Sequence, residues 1–341
     1  MTAREKILWL VTNSCLGDTV SFLNSSHPNY RQLIEEFFEL CYNNFLSSAE
    51  GERAAEILSA LAAGPSDAFT LVVEGTVPSA AEGLYCVLGY RRGRPWTALE
   101  AVRELAGKAR YVVAAGTCAA FGGPYAAHPN PTGSLPVSKV VRRRVINVPG
   151  CPVHPDWLAG TLYHLARYGE PRLDEYNRPV LYFGETVHDR CERRHYFESG
   201  IFAREPGEPW CMYKIGCKGP VTHADCPVRQ WSGEHTSWPV GANTPCIGCT
   251  SPEFPDGVAP FFEHLPDIGT PAVKVTANRV GLLTGAATAL GIGAHLAANI
   301  LSGRLAYTIR RGLGAAKKPA SLLQKSHRRK VKQRDGKCAG P

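Results

Sequence analysis

The opening stretch MTAREKILWL lacks an apolar h-region ahead of a cleavage site, and it lacks a twin arginine. No export leader is therefore expected, and the chain is expected to reside in the cytoplasm. A cytoplasmic chain does not keep disulfides. The body also lacks an excess of basic charge. The net charge is +8 over 341 residues, but from Arg304 onward 12 Lys/Arg face one acid. That tail carries +11, which leaves −3 for everything before it. No nucleic-acid partner is expected for such a body. Residues 184–270 lack sustained hydrophobic periodicity, and Val280–Gly303 lacks any formal charge.

What is present is cysteine, glycine and proline: 12, 34 and 26 residues. With 44% hydrophobic residues the chain can bury a real core, as one large domain or two ordinary ones. The Gly and Pro content predicts long ordered loops. With disulfides set aside, the cysteines point to metal or iron–sulfur ligation.

The first half alternates short apolar runs with helical patterns. Strands are predicted at Lys6–Thr12, Phe69–Glu74, Ala109–Ala115, Arg144–Val148 and Pro179–Phe183. Helices are predicted at Tyr30–Phe45, Glu52–Ala62, Trp96–Gly107 and Pro155–Arg167, where apolar residues recur at three- and four-residue spacing. This alternation predicts an α/β fold with a doubly wound parallel sheet of flavodoxin-like form. The organisation expected is residues 1–183 as that domain, 184–270 as a loop-rich domain stapled by bound clusters, and 271–341 as an apolar helix and a basic tail. Val280–Gly303 is long enough to span a bilayer, but its Gly, Ala, His295 and Asn299 weaken the drive to insert. Spanning, surface contact and packing on a partner all stay open. The tail reads as a solvated charge run or as a contact for anionic lipid.

The unusual residues fall just after predicted strands. Cys15 and Asp18 follow the first, Glu74 ends the second, Cys118 follows the third and Cys151 the fourth. In an open parallel sheet these carboxyl ends form the ligand-binding edge. Cys15, Asp18, Cys118 and Cys151 therefore make a first candidate set, carried on Gly-rich turns that let a bulky cofactor approach the backbone. Asp18 stands where a second cysteine would complete Cys-x-x-Cys. It is either an oxygen ligand in place of a thiolate or the N-cap of the next helix. A second set is His188, Cys191, Cys211 and Cys217, which suits zinc and a four-iron cluster equally well. A third is Cys226, Cys246 and Cys249, with no evident fourth ligand. Zinc would want that fourth ligand, whereas a three-iron cluster would not. Cys41 and Cys86 read as core residues, and Cys338 as a free thiol in the tail.

Together the pieces VVEGTVP, GTCAAFGG, PNPTGSLPV, NVPGCPVHPDW, GCKGP and PCIGC resemble the small, electron-transferring subunit of [NiFe]-hydrogenases. The resemblance runs from about Ile7 to Phe261 and continues more weakly through 280–303. It implies a proximal [4Fe–4S] cluster on the first set, a distal [4Fe–4S] cluster on the second and a medial [3Fe–4S] cluster on the third. Pro239 would stand at the fourth medial position. It further implies hydrogen oxidation on a separate large subunit, with which this chain forms a heterodimer or a higher oligomer. No nickel and no catalytic residue would lie in this chain. Glu74 would be a candidate at the subunit interface, in a structural or a proton-related role.

Asp18 departs from the family's usual Cys-x-x-Cys, the medial loop is about two residues longer, and no twin-arginine leader is seen. Asp-for-Cys without export resembles the actinobacterial-type, high-affinity, oxygen-tolerant branch. The competing readings are a zinc-stabilised binding protein without redox function and a flavin carrier. The latter is opposed by cysteines standing where a Ser/Thr-rich phosphate-binding turn would be.

Overall fold

The computed structural model describes residues 4–231, 234–262, 269–270, 273–274 and 277–305. The chain divides into two compact units, 1–265 and 266–341. In the first, strands β1 (Glu5–Val11), β2 (Phe38–Asn43), β3 (Thr70–Glu74), β4 (Tyr111–Ala115) and β5 (Ile146–Val148) form one sheet in the order 2-1-3-4-5. Every pairing in it is parallel. That order belongs to flavodoxin-like sheets, whose ligand edge lies at the carboxyl ends of the strands.

A parallel sheet must be covered on both faces, and its strands show it. Ile7, Trp9 and Val11 of β1 enter one buried core, while Leu8 and Leu10 enter the other. The first core is closed by helix α5 (Pro155–Tyr168) through Trp157, Leu158 and Leu162. The second is closed by α2 (Gly51–Ala63) and α3 (Ala98–Ala106) through Leu58, Val102 and Leu105. Thr97 caps α3 by accepting the Glu100 N–H, which sets its start. Val187, Ala224, Trp238 and Val240, from the loop-rich stretch beyond 183, are buried in the same core as α5.

Two predicted elements differ. The helix expected over Tyr30–Phe45 stops at Phe37, its last turn a π-helix over Leu33–Phe37, and the chain continues as β2. Phe38, Leu40 and Tyr42 also alternate with period two, and the open edge of β1 supplies the backbone partners that decide between the two patterns. The strand expected over Pro179–Phe183 is a short helix, Val180–Phe183. Its Phe183 ring packs on Trp157 at 5.1 Å, so a five-residue apolar run is satisfied by packing on α5 instead of by pairing. Cys86 packs half-buried against the second core, and Cys41 is half-buried on β2.

In the second unit, helix α6 covers Ala277–Leu301. Its stretch Gly281–Leu301 has a mean hydropathy of 1.4, none of it buried, and is long and apolar enough to cross a membrane. The basic tail from 306 onward, with Cys338, lies outside the described residues.

Candidate metal centres

The first set is built on the loop that leaves β1. Asn13 pairs with Thr76 beyond β3, and Leu16 adopts a left-handed conformation before helix α1 (Gly17–Phe22) begins. Glu74 holds this loop from below. Its Oε1 accepts Ser14 Oγ at 2.9 Å and the Asp18 N–H at 3.2 Å. Its Oε2 accepts Trp9 Nε1 at 3.2 Å, the Thr19 N–H at 3.0 Å and the Thr19 hydroxyl. Glu74 is fully buried beneath this loop. It sits at the expected strand end, with donors from the covering loop and the start of α1 above it and Trp9 of β1 beside it.

Asp18 is also buried, and it caps nothing: α1 has no side-chain cap. Its Oδ1 accepts the Val153 N–H at 2.6 Å, across the edge from the β5 loop. Burial, with the Glu74 charge adding and the Val153 N–H opposing, pushes its carboxyl up to about 7. Gly116, at the junction of β4 and helix α4 (Gly116–Phe121), has φ +79°, and a Cβ there would collide with both Asp18 oxygens. Gly116→Ala is therefore expected to cost about 2–4 kcal/mol, from strain plus displacement of a buried carboxyl. A melting curve of the purified protein checks it, and an unchanged midpoint would contradict this placement.

The structure brings the rest of the first set to Asp18. Cys118 lies half-buried on α4, and Cys15 and Cys151 are exposed at the rim. Burial raises the Cys118 thiol to about 12, and the nearby Cys151, Asp18 and Cys15 push it the same way. Cys151 is likewise raised to about 12, by burial first and then by Cys249, Asp18 and Cys15.

His188, Cys191, Cys211 and Cys217 line one narrow cavity. The His188 ring is held edge-on to Phe197, 4.6 Å away. Arg193 lines the same cavity, a residue the sequence does not single out. It is buried, and its guanidinium donates to the carbonyls of Glu208 at 2.9 Å and Trp210 at 3.1 Å and to Asn243 Oδ1. No carboxylate pairs with it among the described residues. The flanking Arg190 and Arg194 pair with Glu185 and Glu198 at the surface. Nothing in HDRCERR separates these three arginines, because burial of only one of them is a tertiary property.

Cys226, Cys246 and Cys249 converge in turn. Cys226 starts a short helix, Cys226–Arg229, and its sulfur accepts the Trp231 indole N–H at 3.4 Å. Burial raises its thiol, and the neighbouring Cys249 adds to the rise. Cys246 feels both Cys249 and Cys226. Pro239 is exposed between buried Trp238 and Val240.

Two links order the sets in space. Thr117 of α4, next to Cys118, donates its hydroxyl to the Cys249 carbonyl, and the Cys249 thiol is near enough to Cys151 to raise the latter's pKa. The Lys218 N–H, next to Cys217, donates to the Cys246 carbonyl at 2.8 Å. The third set therefore lies between the first and the second.

Among the described residues, no three His, Cys, Asp or Glu side chains close round one point in the way a single metal ion requires. The second set lines a cavity instead, and thiols with raised pKa values need a strongly cationic partner to become thiolates. Soft donors spread round a space suit an iron–sulfur cluster.

A parallel 2-1-3-4-5 sheet with cysteines on its ligand edge defines a cysteine-ligated redox protein of flavodoxin-like fold. Residues 15–165 match the family described as NADH ubiquinone oxidoreductase, 20 Kd subunit, and residues 183–262 match the C-terminal family of the NiFe/NiFeSe hydrogenase small subunit. The chain is 37% identical over 276 residues to the periplasmic [NiFeSe] hydrogenase small subunit of Desulfomicrobium baculatum, covering 76% of this chain and 87% of that one. It is 36% identical to the quinone-reactive Ni/Fe-hydrogenase small chain of Wolinella succinogenes, covering 86% and 85%. The structure of the actinobacterial-type NiFe-hydrogenase from Ralstonia eutropha H16 aligns with a TM-score of 0.73 at 33% identity, covering 85% of this chain and 90% of that one. The chain belongs to the [NiFe]-hydrogenase small-subunit family. It is thus an electron-transfer subunit of an oxidoreductase and an iron–sulfur protein. Relatives named as periplasmic give no support to the cytoplasmic residence expected from the sequence.

Proposed function

We propose that this chain is the conducting subunit of a hydrogen-oxidising [NiFe]-hydrogenase. The observation that carries this is the pair of hydrogen bonds, Thr117 to Cys249 and Lys218 to Cys246, that links the first set through the third to the second. Cys15, Asp18, Cys118 and Cys151 would hold a proximal [4Fe–4S] cluster, and His188, Cys191, Cys211 and Cys217 a distal one. Cys226, Cys246 and Cys249 would hold a medial [3Fe–4S] cluster, and no nickel is bound here. The clusters supply reversible one-electron storage. The protein's part is to fix their sequence, exclude water and set their charge. Neutral His188 makes its site less anionic than four thiolates would, which suits an electron exit.

The nickel–iron site belongs to a large subunit. It would dock over the edge where Cys15 and Cys151 are exposed beside Val20 of α1 and Leu23 at its end. The test is purification with co-purifying subunits and analysis for Ni, Fe and Zn. Iron with acid-labile sulfide on this chain, and nickel on its partner, is the expected result. A colourless, zinc-loaded protein would support the non-redox binding protein instead.

Asp18 is assigned as an oxygen ligand, a harder donor than thiolate, and oxygen tolerance of the actinobacterial type is proposed to follow from it. Asp18→Asn keeps an acceptor for the Val153 N–H but removes the charge. It is expected to change the Mössbauer and EPR signature of a single cluster, as is Asp18→Cys. Unchanged spectra in both Asp18→Asn and Asp18→Ala would refute ligation.

Gly281–Leu301, at about 1.5 Å per residue, matches a hydrocarbon layer about 30 Å thick. It is proposed to anchor the complex, with the cluster-bearing unit on the cytoplasmic side. Deleting 277–341 should release the complex from membranes, and intact spheroplasts should shield the cluster-bearing unit from added protease. Retention after the deletion, or cleavage in spheroplasts, would reverse these assignments.

A further inference from the structure

At the amino ends of β4 and β5, the sheet end opposite the cysteines, lies a cavity of about 880 Å³. Arg103 of α3 and Lys139, Arg142 and Arg143 ahead of β5 line it, with Val140 and Val141. No acid lines it. The acids of α3 and its surroundings are engaged elsewhere, Glu100 with Arg94, Glu104 with Arg91 and Glu170 with Arg144.

These cations are not equivalent. Arg143 donates to the carbonyls of Ala106, Ala109 and Arg110, so it satisfies the end of α3 and the turn into β4. Its presence is explained by the fold. Arg103, Lys139 and Arg142 are exposed and make no side-chain hydrogen bond or ion pair among the described residues. Positive charge is also concentrated here. Residues 103–110 and 139–144 hold seven Lys/Arg and one acid, a net of +6, in a body whose total before Arg304 is −3. A solvated charged face needs no concavity, and like charges gathered round one repel each other.

We propose that this cavity binds a ligand bearing two or more phosphate groups. Three unengaged cations exceed what a monoanion requires, and guanidinium forks match phosphate oxygens in pairs. The volume falls within the usual range for small-ligand sites. No aromatic side chain lines the cavity, so a nucleobase has nothing to stack on and recognition rests on phosphate. Val140 and Val141 offer an apolar wall to the carbon skeleton between or beyond the phosphates. Two sources share this chemistry: a soluble polyphosphate and a phospholipid headgroup.

The experiment uses the full-length hydrogenase complex in three forms: wild type, Arg103→Gln/Lys139→Gln/Arg142→Gln, and a control, Arg31→Gln/Arg53→Gln/Arg94→Gln, which removes surface cations that already have acidic partners. The basic tail is the same in all three. Titration calorimetry with sodium tripolyphosphate at low salt should show binding at least tenfold weaker in the cavity variant than in the control, with hydrogen oxidation unchanged. Flotation with vesicles containing cardiolipin, a phospholipid with two headgroup phosphates, against pure phosphatidylcholine, separates the sources. Reduced flotation of the cavity variant alone marks a lipid headgroup. Equal flotation alongside lost tripolyphosphate binding marks a soluble ligand. Equal tripolyphosphate affinity in the cavity variant and the control would overturn the proposal, whatever the vesicles show.

Discussion

Glu74→Ala is expected to lower the stability of the cluster-bearing unit by about 3–5 kcal/mol, the scale for breaking a buried charged network. It should also yield protein deficient in iron. The side chain accepts from Trp9, Ser14, Asp18 and both donors of Thr19, all within or beneath the loop that carries Cys15. Truncation leaves these donors facing a void that water cannot readily fill, and each orphaned donor costs roughly 1–3 kcal/mol. The Cys15–Asp18 loop then loses its floor. Glu74→Gln should be milder, because one oxygen still accepts while the amide meets Trp9 or Thr19 donors head-on. Melting temperature and iron per chain in the purified complex check this. Full iron and an unmoved midpoint in the Ala variant would show that the loop is held otherwise.

Arg193→Met is expected to lower the reduction potential of the cluster proposed at His188, Cys191, Cys211 and Cys217, with little change at the other two proposed clusters. The guanidinium is a buried positive charge with only neutral acceptors, beside an anionic site. Reduction adds negative charge, so removing the cation destabilises the reduced state and the potential falls. Two unit charges about 4–8 Å apart interact by roughly 2–4 kcal/mol at an effective dielectric near 20, on the order of 100 mV for one electron. Arg193→Lys separates charge from packing. It keeps the cation but cannot reproduce the guanidinium's bonds to the Glu208 and Trp210 carbonyls, so the potential should hold while stability drops. A redox titration followed by EPR reads both variants. A Met variant with an unshifted potential would reduce Arg193 to a loop brace.

The candidate site is more legible in the sequence than its supports. Cys118 and Cys151 can be placed on the ligand edge because β4 and β5 are short apolar runs that end in Gly-containing turns. The connectivity of a parallel sheet then fixes which ends converge. Glu74 is visible as a strand-end acid, but its burial depends on a loop that returns from β1 to cover it. Arg193 does not stand out at all among its neighbours. β2 reads as helix because Phe38, Leu40 and Tyr42 fit both periods locally, and only the open edge of β1 chooses.

The stretch around Asp18 shows the same division. By itself the sequence determined that a carboxylate stands where a cysteine would complete Cys-x-x-Cys, since spacing along one loop is a local property. It also determined β1, β3 and β4, because a short continuous apolar run suited to burial on both faces is a local feature. Only the tertiary structure decided that Asp18 is no helix cap, since its partner, the Val153 N–H, arrives from the loop after β5. The order of the cysteine sets was likewise a tertiary decision: hydrogen bonds joining Thr117 to Cys249 and Lys218 to Cys246 form between segments that no local pattern relates.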